Sequence, residues 1–493
     1  MKVHLMFKNK DFNIMEQQPF GISDLKSDLE LKIILSSMAQ GDDLIMKASE
    51  ATLFCGLKHP EEIRYRQDIL KDCIKNSFVV RKFYSISVEA IERQRKGFWW
   101  FSSKSATSLL SSSVNRLGMF TEMMENLRKI ADEHIKEFES EGFVELLSML
   151  QRELNDEYLL LIKEHLNELK FKDGTLISCR LGNYNQGIGY VLRRKKKQSW
   201  LKLRLTPFYS VDPQDQSGLS DLTRRNERAV NEVAVVLAQS ADHVSSFFSS
   251  LQNELAFYVG CLNLYEELKK IGLPSCFPDP LMPYKHYRSA KNLYDISLGL
   301  LTKSKVVGND FNTVDKSLYI ITGANQGGKT TFLRSIGQSQ MMMQCGMFVP
   351  SDEYMSNICK GVFTHFKKEE DPKMKSGKLD EELTRMSDIA DHLSEGTLVL
   401  FNESFSATNE REGSEIGRQI VTALIDNGIE VFFVTHLFDF ATSFYDKHLQ
   451  NIKFLRAERL ADGKRTFRII SGEPLKTSFG EDLYNNIFSA NAN

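Results

Sequence analysis

The sequence predicts a C-terminal α/β domain with a parallel sheet, preceded by a mainly helical region that carries a small β-rich insert. From about residue 271 onwards, short apolar runs alternate with helical patterns, which is typical of helices that cover a parallel sheet. Before that point, apolar residues recur at helical spacing from about residue 22 to 171 and again from about 220 to 270. Between these stretches the spacing changes to the alternation of strands, which places the insert at about 172–212.

The length of the chain indicates several domains, because a single hydrophobic core rarely grows beyond about 250–300 residues. We place a helical core domain at 1–104, long helices with the β-rich insert at 105–270, and the α/β domain at 271–493. Glycine and proline residues between 272 and 280 indicate a turn or linker near the boundary at residue 271.

Composition and charge narrow the functional classes. The chain is 42% hydrophobic and 26% charged, as in ordinary globular proteins. Its formal net charge of −2 argues against binding a polyanion over the whole surface, so any nucleic-acid surface is local. No apolar run is long enough to cross a bilayer, so we expect no membrane partner. Seven scattered cysteines without a C-x-x-C pair indicate reduced thiols, no zinc site and a cytoplasmic location.

The clearest functional motif is the segment 323–330, Gly-Ala-Asn-Gln-Gly-Gly-Lys-Thr, which follows the apolar run 318–322. It matches G-x-x-x-x-G-K-[ST], a loop whose glycines let backbone N–H groups surround a phosphate at a helix N-terminus. Lys329, which we expect to be exposed, would reach the β- and γ-phosphates, and the Thr330 hydroxyl would bind Mg²⁺. A chance glycine-rich turn is the alternative, and the strand before the loop and the helix after it argue against that. The sequence therefore predicts ATP and Mg²⁺ as ligands, held by Gly323, Asn325, Gly327, Gly328, Lys329, Thr330 and Thr331.

Two further apolar runs end in polar residues. The run 397–401 ends in Asn402 and Glu403, where nucleotide-hydrolysing proteins with this loop carry an Asp for the metal and a Glu that polarises the attacking water. Asn402 keeps an oxygen acceptor near the metal but loses the charge, so its hydrogen bond has roughly half the strength. The run 430–435 ends in His436, which is either a donor to the γ-phosphate or a structural histidine. We predict Glu403, His436 and Lys329 as catalytic residues and Thr330 and Asn402 as the metal-binding pair.

These motifs resemble the MutS family of DNA mismatch-repair ATPases. Residues 320–334 are similar to its signature T-G-P-N-M-G-G-K-S-T-Y-[LM]-R, and 398–413 to its L-[VI]-x-x-D-E-x-x-x-G-T-[ST]-x-x-[DE]-G. Residues 433–436 match F-x-T-H, and 478–480 resemble the late S-Y-G. Val306 and Asn309 fall in an element, [FV]-[VI]-x-N-[DP], that lies near the adenine in this family.

The resemblance implies a fold and an assembly. It implies an α/β P-loop ATPase domain of the ABC/MutS type, and an N-terminal all-α core and lever region with a small β clamp-like insert. Family ATPases work as dimers, so we expect a homodimer through the ATPase domains. The second subunit would supply the signature loop with Ser406, Thr408 and Asn409 against the γ-phosphate.

The clamp of this family closes around DNA, so the resemblance implies double-stranded or branched DNA as a partner. A basic run in the insert would then contact phosphates without reading sequence. A solvated hairpin face is the alternative. The predicted DNA-binding residues are Arg193, Arg194, Lys195, Lys196 and Lys197.

Departures from the family pattern limit what the resemblance implies. The sequence begins almost at the helical core, leaving no room for the mismatch-reading and connector domains. The reading domain uses F-x-E, and the triplet found at 143–145 falls in a helical stretch and is expected in the core. Asn402 replaces an Asp, Ala407 a Gly and Gln326 a Met. We therefore expect slow hydrolysis and a DNA clamp without direct mismatch reading.

The sequence leaves two other interpretations. An ATP-dependent protein-interaction scaffold with little DNA binding is favoured slightly by Asn402 and by the near-neutral charge. An ATPase of the chromosome-organising kind would need long heptad arms and a Leu-Ser-Gly-Gly signature, and neither occurs in the sequence.

Overall fold

The computed structural model describes residues 1–15, 19–98, 105–172, 174–194, 210–283, 287–368, 377–460 and 463–475. The chain divides into two compact units. The helical unit contains Met1–Val3, Phe78–Glu139 and Phe143–Leu255, and the sheet unit contains His4–Ser77, Ser140–Gly142 and Ala256–Asn493. The predicted division into 1–104, 105–270 and 271–493 stays a prediction.

The described helices and strands alternate irregularly along the chain. The helices are α1 Ile22–Asp28, α2 Leu31–Ala39, α3 Asp43–Phe54, α4 Pro60–Lys75, α5 Ser77–Phe98, α6 Ala106–His134, α7 Glu141–Glu153, α8 Asp156–Glu168, α9 Gln216–Ile271, α10 Ile296–Thr302, α11 Lys329–Gln344, α12 Lys378–Ala390, α13 Glu410–Asp426 and α14 Phe438–Tyr445. The strands are β1 Leu176–Leu181, β2 Gly187–Arg193, β3 Asp279–Leu281, β4 Tyr287–Leu293, β5 Asn309–Val314, β6 Leu318–Thr322, β7 Glu353–Asn357, β8 Val362–Phe366, β9 Leu398–Asn402, β10 Glu430–Val434, β11 Ile452–Arg459 and β12 Arg465–Ser471. A mixed helix and sheet architecture is thereby confirmed.

The main sheet of the sheet unit has six strands in the order β12-β11-β6-β10-β9-β8. Strands β8, β9, β10, β6 and β11 are parallel, and β12 pairs antiparallel with β11 at the edge. Val434 of β10 lies opposite both Ile321 of β6 and Asn402 of β9, so the carboxyl ends of these three strands meet at one edge. Ligands bind at such edges in open parallel sheets.

The central strands are buried on both faces, which explains their unbroken apolar runs. Leu318 and Ile320 of β6 belong to a buried cluster with residues of α12, α13 and α14. On the other face, the ring of Tyr319 stacks on Phe432 of β10 with centroids 4.0 Å apart. Phe311 of β5 packs against both rings and so joins a second sheet to this face.

The second sheet has the order β3-β7-β4-β5 and is mainly antiparallel, a feature that the sequence pattern did not predict. Buried Arg288 of β4 connects it to the main sheet. Its guanidinium donates to the Glu430 carboxylate at 2.7 and 2.9 Å, to Gln340 at 2.6 Å and to Ser356 at 2.8 Å. Because every partner comes from a different element, this network fixes the two sheets and α11 together.

Helices α1 to α4 also belong to the sheet unit. Arg66 of α4 is buried, and its guanidinium donates to the backbone oxygen of Cys345, the residue that ends α11, at 3.0 Å. Gln67 donates to the backbone oxygen of Pro278 at 2.9 Å. A cation at the carboxyl end of α11 complements the negative end of the helix dipole.

The helical unit is built around α6, α8 and the first part of α9. Leu110, Leu166 and Val230 share one buried cluster, against which Leu192 of the β1–β2 hairpin packs. The Glu227 carboxylate accepts hydrogen bonds from the backbone N–H groups of Ala106 and Thr107, which caps the start of α6. Phe143, the aromatic residue of the F-x-E triplet, is 0% exposed within α7, in agreement with the expected core position.

None of the helices in the described ranges combines the length and the hydropathy that a membrane span requires.

Candidate nucleotide-binding site

The glycine-rich loop lies between the buried strand β6 and helix α11, at the carboxyl edge of the main sheet. Gly323 and Gly328 have φ angles of 114° and 90°, a region that L side chains rarely adopt. A Cβ atom at Gly323 would also lie 3.0 Å from the backbone nitrogen of Ala457 on β11. Glycine is therefore required by both backbone conformation and space.

Lys329 is buried, with 5% of its surface exposed. The prediction that this lysine is exposed is therefore wrong. Its ammonium group donates to the backbone oxygens of Gly323 and Ala324, each at 3.0 Å. Burial lowers the pKa of this ammonium group to about 8. The loop thus folds over the side chain of Lys329. For this reason the motif can predict a phosphate-binding lysine without predicting that the lysine is exposed to solvent.

Thr330 and Asn402 lie next to each other, as the prediction of a metal-binding pair requires. The hydroxyl of Thr330, in the first turn of α11, donates to Oδ1 of Asn402 at the end of β9, at 3.0 Å. Both atoms are oxygens, the ligand element that Mg²⁺ prefers, although neither carries the negative charge of a carboxylate. No group of three or more His, Cys, Asp or Glu side chains that could hold a metal occurs among the described residues.

Glu403 and His436 form a second pair at the same edge. Nε2 of His436 lies 3.1 Å from Oε1 of Glu403, and this hydrogen bond holds the pKa of the carboxyl below its ordinary value. Glu403 has a φ angle of 54°, and its backbone N–H donates to the oxygen of Val434 at 2.9 Å. A non-glycine residue in this conformation is uncommon and typical of functional positions.

A cavity of about 440 Å³ brings most of the predicted nucleotide contacts together. The predicted residues that line it are Val306, Asn309, Asn325, Gly327, Gly328, Lys329, Thr330, Thr331 and Glu403. Of the other lining residues, Val307 and Gln326 lie inside the predicted motifs, whereas the sequence analysis missed Leu298, Thr302, Ser304, Lys305 and Phe467. Ser304 and Lys305 precede the predicted Val306, so that motif was a usable signal. Phe467 of β12 had no such signal.

The signature-loop residues lie outside the set of described residues that line this cavity. Ser406 donates to the backbone oxygen of Glu403 at 2.7 Å, which ties the loop to the end of β9. Thr408 donates to the Glu412 carboxylate. The side-chain oxygen of Asn409 accepts from the backbone N–H of Glu412 at 3.0 Å and caps α13.

The basic run begins at the end of the β1–β2 hairpin. Nε of Arg193 donates to the Ser178 hydroxyl at 2.9 Å, and Nη2 of Arg194 donates to the Glu168 carboxylate at 2.6 Å. Lys195, Lys196 and Lys197 lie outside the described residues, as does the segment 478–480.

A glycine-rich loop between a buried strand and a helix, beside a second polar strand end, is the arrangement of proteins that bind nucleotide phosphates. Residues 58–271 match the family model of the MutS2 N-terminal domain, and residues 319–484 match that of MutS domain V. The chain belongs to the MutS family.

The similar proteins reported below are named either Endonuclease MutS2 or DNA mismatch repair protein MutS. The chain is 28% identical to the Endonuclease MutS2 of Lacticaseibacillus paracasei over 273 residues, which is 54% of this chain and 33% of the relative. It is 29% identical to the Endonuclease MutS2 of Alkaliphilus oremlandii over 43% of this chain and 25% of the relative. It is 26% identical to the DNA mismatch repair protein MutS of Lactobacillus gasseri over 48% of this chain and 28% of the relative. The chain therefore spans a third or less of the length of these relatives.

Proposed function

We propose that this chain is a Mg²⁺-dependent P-loop ATPase that acts as an ATP-switched clamp on DNA in repair or recombination, without direct mismatch reading. The observation that carries the proposal is the contact of Thr330 with Asn402 at 3.0 Å, beside Glu403 in the cavity of the glycine-rich loop. The match of residues 319–484 to MutS domain V supports the same assignment.

Each residue of the site has a role in this proposal. The backbone N–H groups of the loop and the amino end of α11 bind the phosphates. Lys329 exchanges its two carbonyl partners for phosphate oxygens, whose negative charge offsets the desolvation that lowers its pKa. Thr330 and Asn402 hold Mg²⁺, which supplies positive charge against the phosphates.

Glu403 orients and deprotonates the attacking water. Its pKa is held low by His436, so the carboxylate is ionised at neutral pH. A strongly ionised carboxylate is a weak base, and Asn402 lacks the charge that would hold the metal's water firmly. Both features support slow hydrolysis. His436 positions Glu403 and donates to the γ-phosphate when that group is bound.

The assembly is a homodimer through the ATPase domains. Ser406, Thr408 and Asn409 would approach the γ-phosphate in the partner's site, since they lie outside the lining of the cavity in their own chain. ATP would favour the closed dimer because only a closed interface brings both sets of contacts to one nucleotide.

The decisive experiment measures two quantities on the same protein: ATP turnover, and equilibrium binding of linear and branched DNA with and without ATP. We expect turnover that requires Mg²⁺, and a DNA affinity that changes when ATP is present. A protein that binds no nucleotide, or whose DNA affinity ignores ATP, would contradict the ATP-switched clamp.

An ATP-dependent protein-interaction scaffold is the second candidate. The observation that favours it is the ion pair of Arg194 with Glu168, which offsets part of the positive charge of the basic run. Such a scaffold would bind ATP at the same site but would bind neither DNA form measurably.

A further inference from the structure

The edge strand β12 brings an arginine to the glycine-rich loop. Nη1 of Arg465 donates to the side-chain oxygen of Gln326 in that loop at 3.2 Å. Nε and Nη2 of the same guanidinium are buried and have no hydrogen-bond partner among the described residues. Arg465 therefore presents two unused donors beside a predicted phosphate site.

The backbone of β12 is shaped to reach the loop. Its pairing with β11 is irregular between Ala457 and Arg459, so residues 466–468 bulge out of the ladder. Phe467 in this bulge has a φ angle of 60° and lines the cavity. A Cβ atom at Gly328 would lie 3.2 Å from the backbone oxygen of Phe467. The bulge thus covers the loop at van der Waals distance.

The positive charges of Arg465 and Lys329 lie close together beside the loop and would be stabilised by a bound anion. Arg465 is half-buried, but leaving two buried N–H-bearing atoms of its guanidinium unpaired is costly, and hydrogen bonds to charged groups are among the strongest that a protein makes. The nearby carboxylate of Glu458 on β11 is engaged by the Thr466 hydroxyl at 2.7 Å. Burial is the main cause that lowers the pKa of Lys329, the carboxylate of Glu403 opposes it, and the positive charge of Arg465 lowers the pKa further. Two cations held together around a phosphate loop are satisfied together by a phosphate chain.

We propose that Arg465 binds the phosphate groups of the nucleotide directly, and that Gln326 positions it for this contact. The proposal rests on the proposed nucleotide binding at this loop and adds a ligand that the loop motif does not contain. A guanidinium offers a planar fork of donors that matches phosphate oxygens, whereas an ammonium group acts as a point charge. The hydrogen bond to Gln326 also gives a role to this residue, which stands where the family pattern has Met.

The test compares the affinities of the full chain for ATP, ADP and adenosine by calorimetry. Arg465→Met should weaken ATP and ADP by roughly 10- to 100-fold, since it removes charge-assisted hydrogen bonds, and should leave adenosine unchanged. Arg465→Lys should fall between this variant and the parent. Gln326→Met should weaken ATP and ADP by roughly fivefold, since it loosens the fork without removing the charge. Arg224→Met, at an exposed arginine of α9 in the helical unit, is the matched control and should bind all three ligands like the parent.

Thermal unfolding without nucleotide separates binding from a structural role. Arg465→Met should keep or raise the melting temperature, because it removes buried unpaired donors, while the upward shift caused by ATP shrinks. A lowered melting temperature together with an equal loss of adenosine affinity would overturn the proposal. So would an ATP affinity within about twofold of the parent when Lys329→Ala has lost ATP. If Lys329→Ala itself keeps its ATP affinity, the proposed nucleotide site fails as a whole.

Discussion

The ammonium group of Lys329 is held inside the protein by two backbone carbonyls instead of water. We expect Lys329→Ala to abolish measurable ATP affinity without unfolding the chain. The buried charge is a cost in the nucleotide-free protein, as its lowered pKa indicates, so the free energy of unfolding should stay the same or rise. Calorimetric titration with ATP and a urea unfolding curve measure the two effects.

The matched control is Lys303, an exposed lysine beyond α10 that lies outside the cavity lining. Lys303→Ala should bind ATP like the parent. Equal ATP binding by Lys329→Ala would contradict the site, and an unfolded variant would show that the lysine is structural.

In the proposed mechanism, Asn402 would determine how firmly a metal-bound water is held. Asn402→Asp keeps the acceptor for the Thr330 hydroxyl and adds a negative charge, so we expect faster Mg²⁺-dependent turnover than in the parent. The measurement is steady-state phosphate release over a range of Mg²⁺ concentrations. An unchanged or lower rate at saturating Mg²⁺ would show that the missing charge does not limit hydrolysis.

Substitution of Glu403 should reduce ATP turnover without reducing ATP binding. Glu403→Ala removes the proposed base but leaves the loop contacts, so we expect phosphate release to fall by roughly 100-fold or more while ATP affinity stays close to that of the parent. Single-turnover phosphate release and calorimetry measure the two quantities. Hydrolysis at the parent rate would rule out the general-base role.

At the residue scale, motifs predicted which residues lie close together better than they predicted whether those residues are buried. The motifs predicted Thr330 and Asn402 as a pair, and the two side chains do lie together, because the carboxyl ends of the parallel strands β6, β10 and β9 share one edge. The motifs did not predict that Lys329 is buried, because a sequence motif does not show which backbone carbonyls a side chain will contact. Arg465 and Phe467 were missed because a bulge in an edge strand brings them to the loop.

The end of β9 is fixed to its neighbours through a buried histidine. Nδ1 of His365 on β8 lies 2.8 Å from the Ser404 hydroxyl, and its Nε2 lies 3.0 Å from the backbone oxygen of Glu382 on α12. Burial lowers the pKa of His365 to about 4, and the charge of Arg385 acts in the same direction. The neutral imidazole therefore links β8, α12 and the residue after Glu403.

This histidine predicts a loss of stability in mild acid. The pKa of His365 is about 4 in the folded chain and 6.5 in the unfolded chain. Between these two pH values, His365 is protonated in the unfolded chain and neutral in the folded chain. Stability is therefore complete above the unfolded pKa and falls as the pH drops below it. From about pH 7.5 to about pH 5, we expect the parent to lose about 2 kcal/mol relative to His365→Gln.

Urea unfolding of both proteins at each pH measures this difference. Asp28 and Glu382 have pKa values raised by burial, so they oppose the trend in both proteins and cancel in the comparison. Parallel stability curves for the parent and the variant would show that His365 can accept a proton in the folded state.

At the element scale, long apolar runs were predictable and short mixed ones were not. Strands β6, β9 and β10 are buried on both faces, so their sequences are continuous apolar runs. Strand β3 has three residues, and β4 mixes Arg288 with small and polar side chains, so neither gives a strand pattern. The second sheet depends on the buried contacts of Arg288, which only the folded chain reveals.

At the scale of the whole molecule, the compact units cut across the order of the sequence. The segment His4–Ser77 belongs to the sheet unit although more than 170 residues of the helical unit separate it from the rest. Helical periodicity reveals that α1 to α4 have an apolar face, but it cannot identify the sheet that covers the face. Arg66, which caps the far end of α11, is the contact that a sequence pattern could not assign.

The helical unit carries the part of the proposal that concerns DNA. If the basic run grips phosphates, replacing Arg193, Arg194, Lys195, Lys196 and Lys197 with Ser should weaken binding about equally for all sequences. The slope of log affinity against log salt should become shallower by about 0.9 for each lost contact on duplex DNA. Arg194 is already paired with Glu168, so its own contribution should be smaller than that of an unpaired cation.

The double variant Arg193→Ser and Arg194→Ser isolates the described part of this run. Its matched control replaces Lys129 and Lys136, two exposed cations of the helical unit, with Ser. ATP affinity should survive in all variants, since the basic run and the glycine-rich loop belong to different units. A scaffold would show no DNA affinity to lose. If the parent binds duplex DNA and the five-residue variant keeps its salt slope, the phosphate contacts lie elsewhere and the clamp role of the hairpin is wrong.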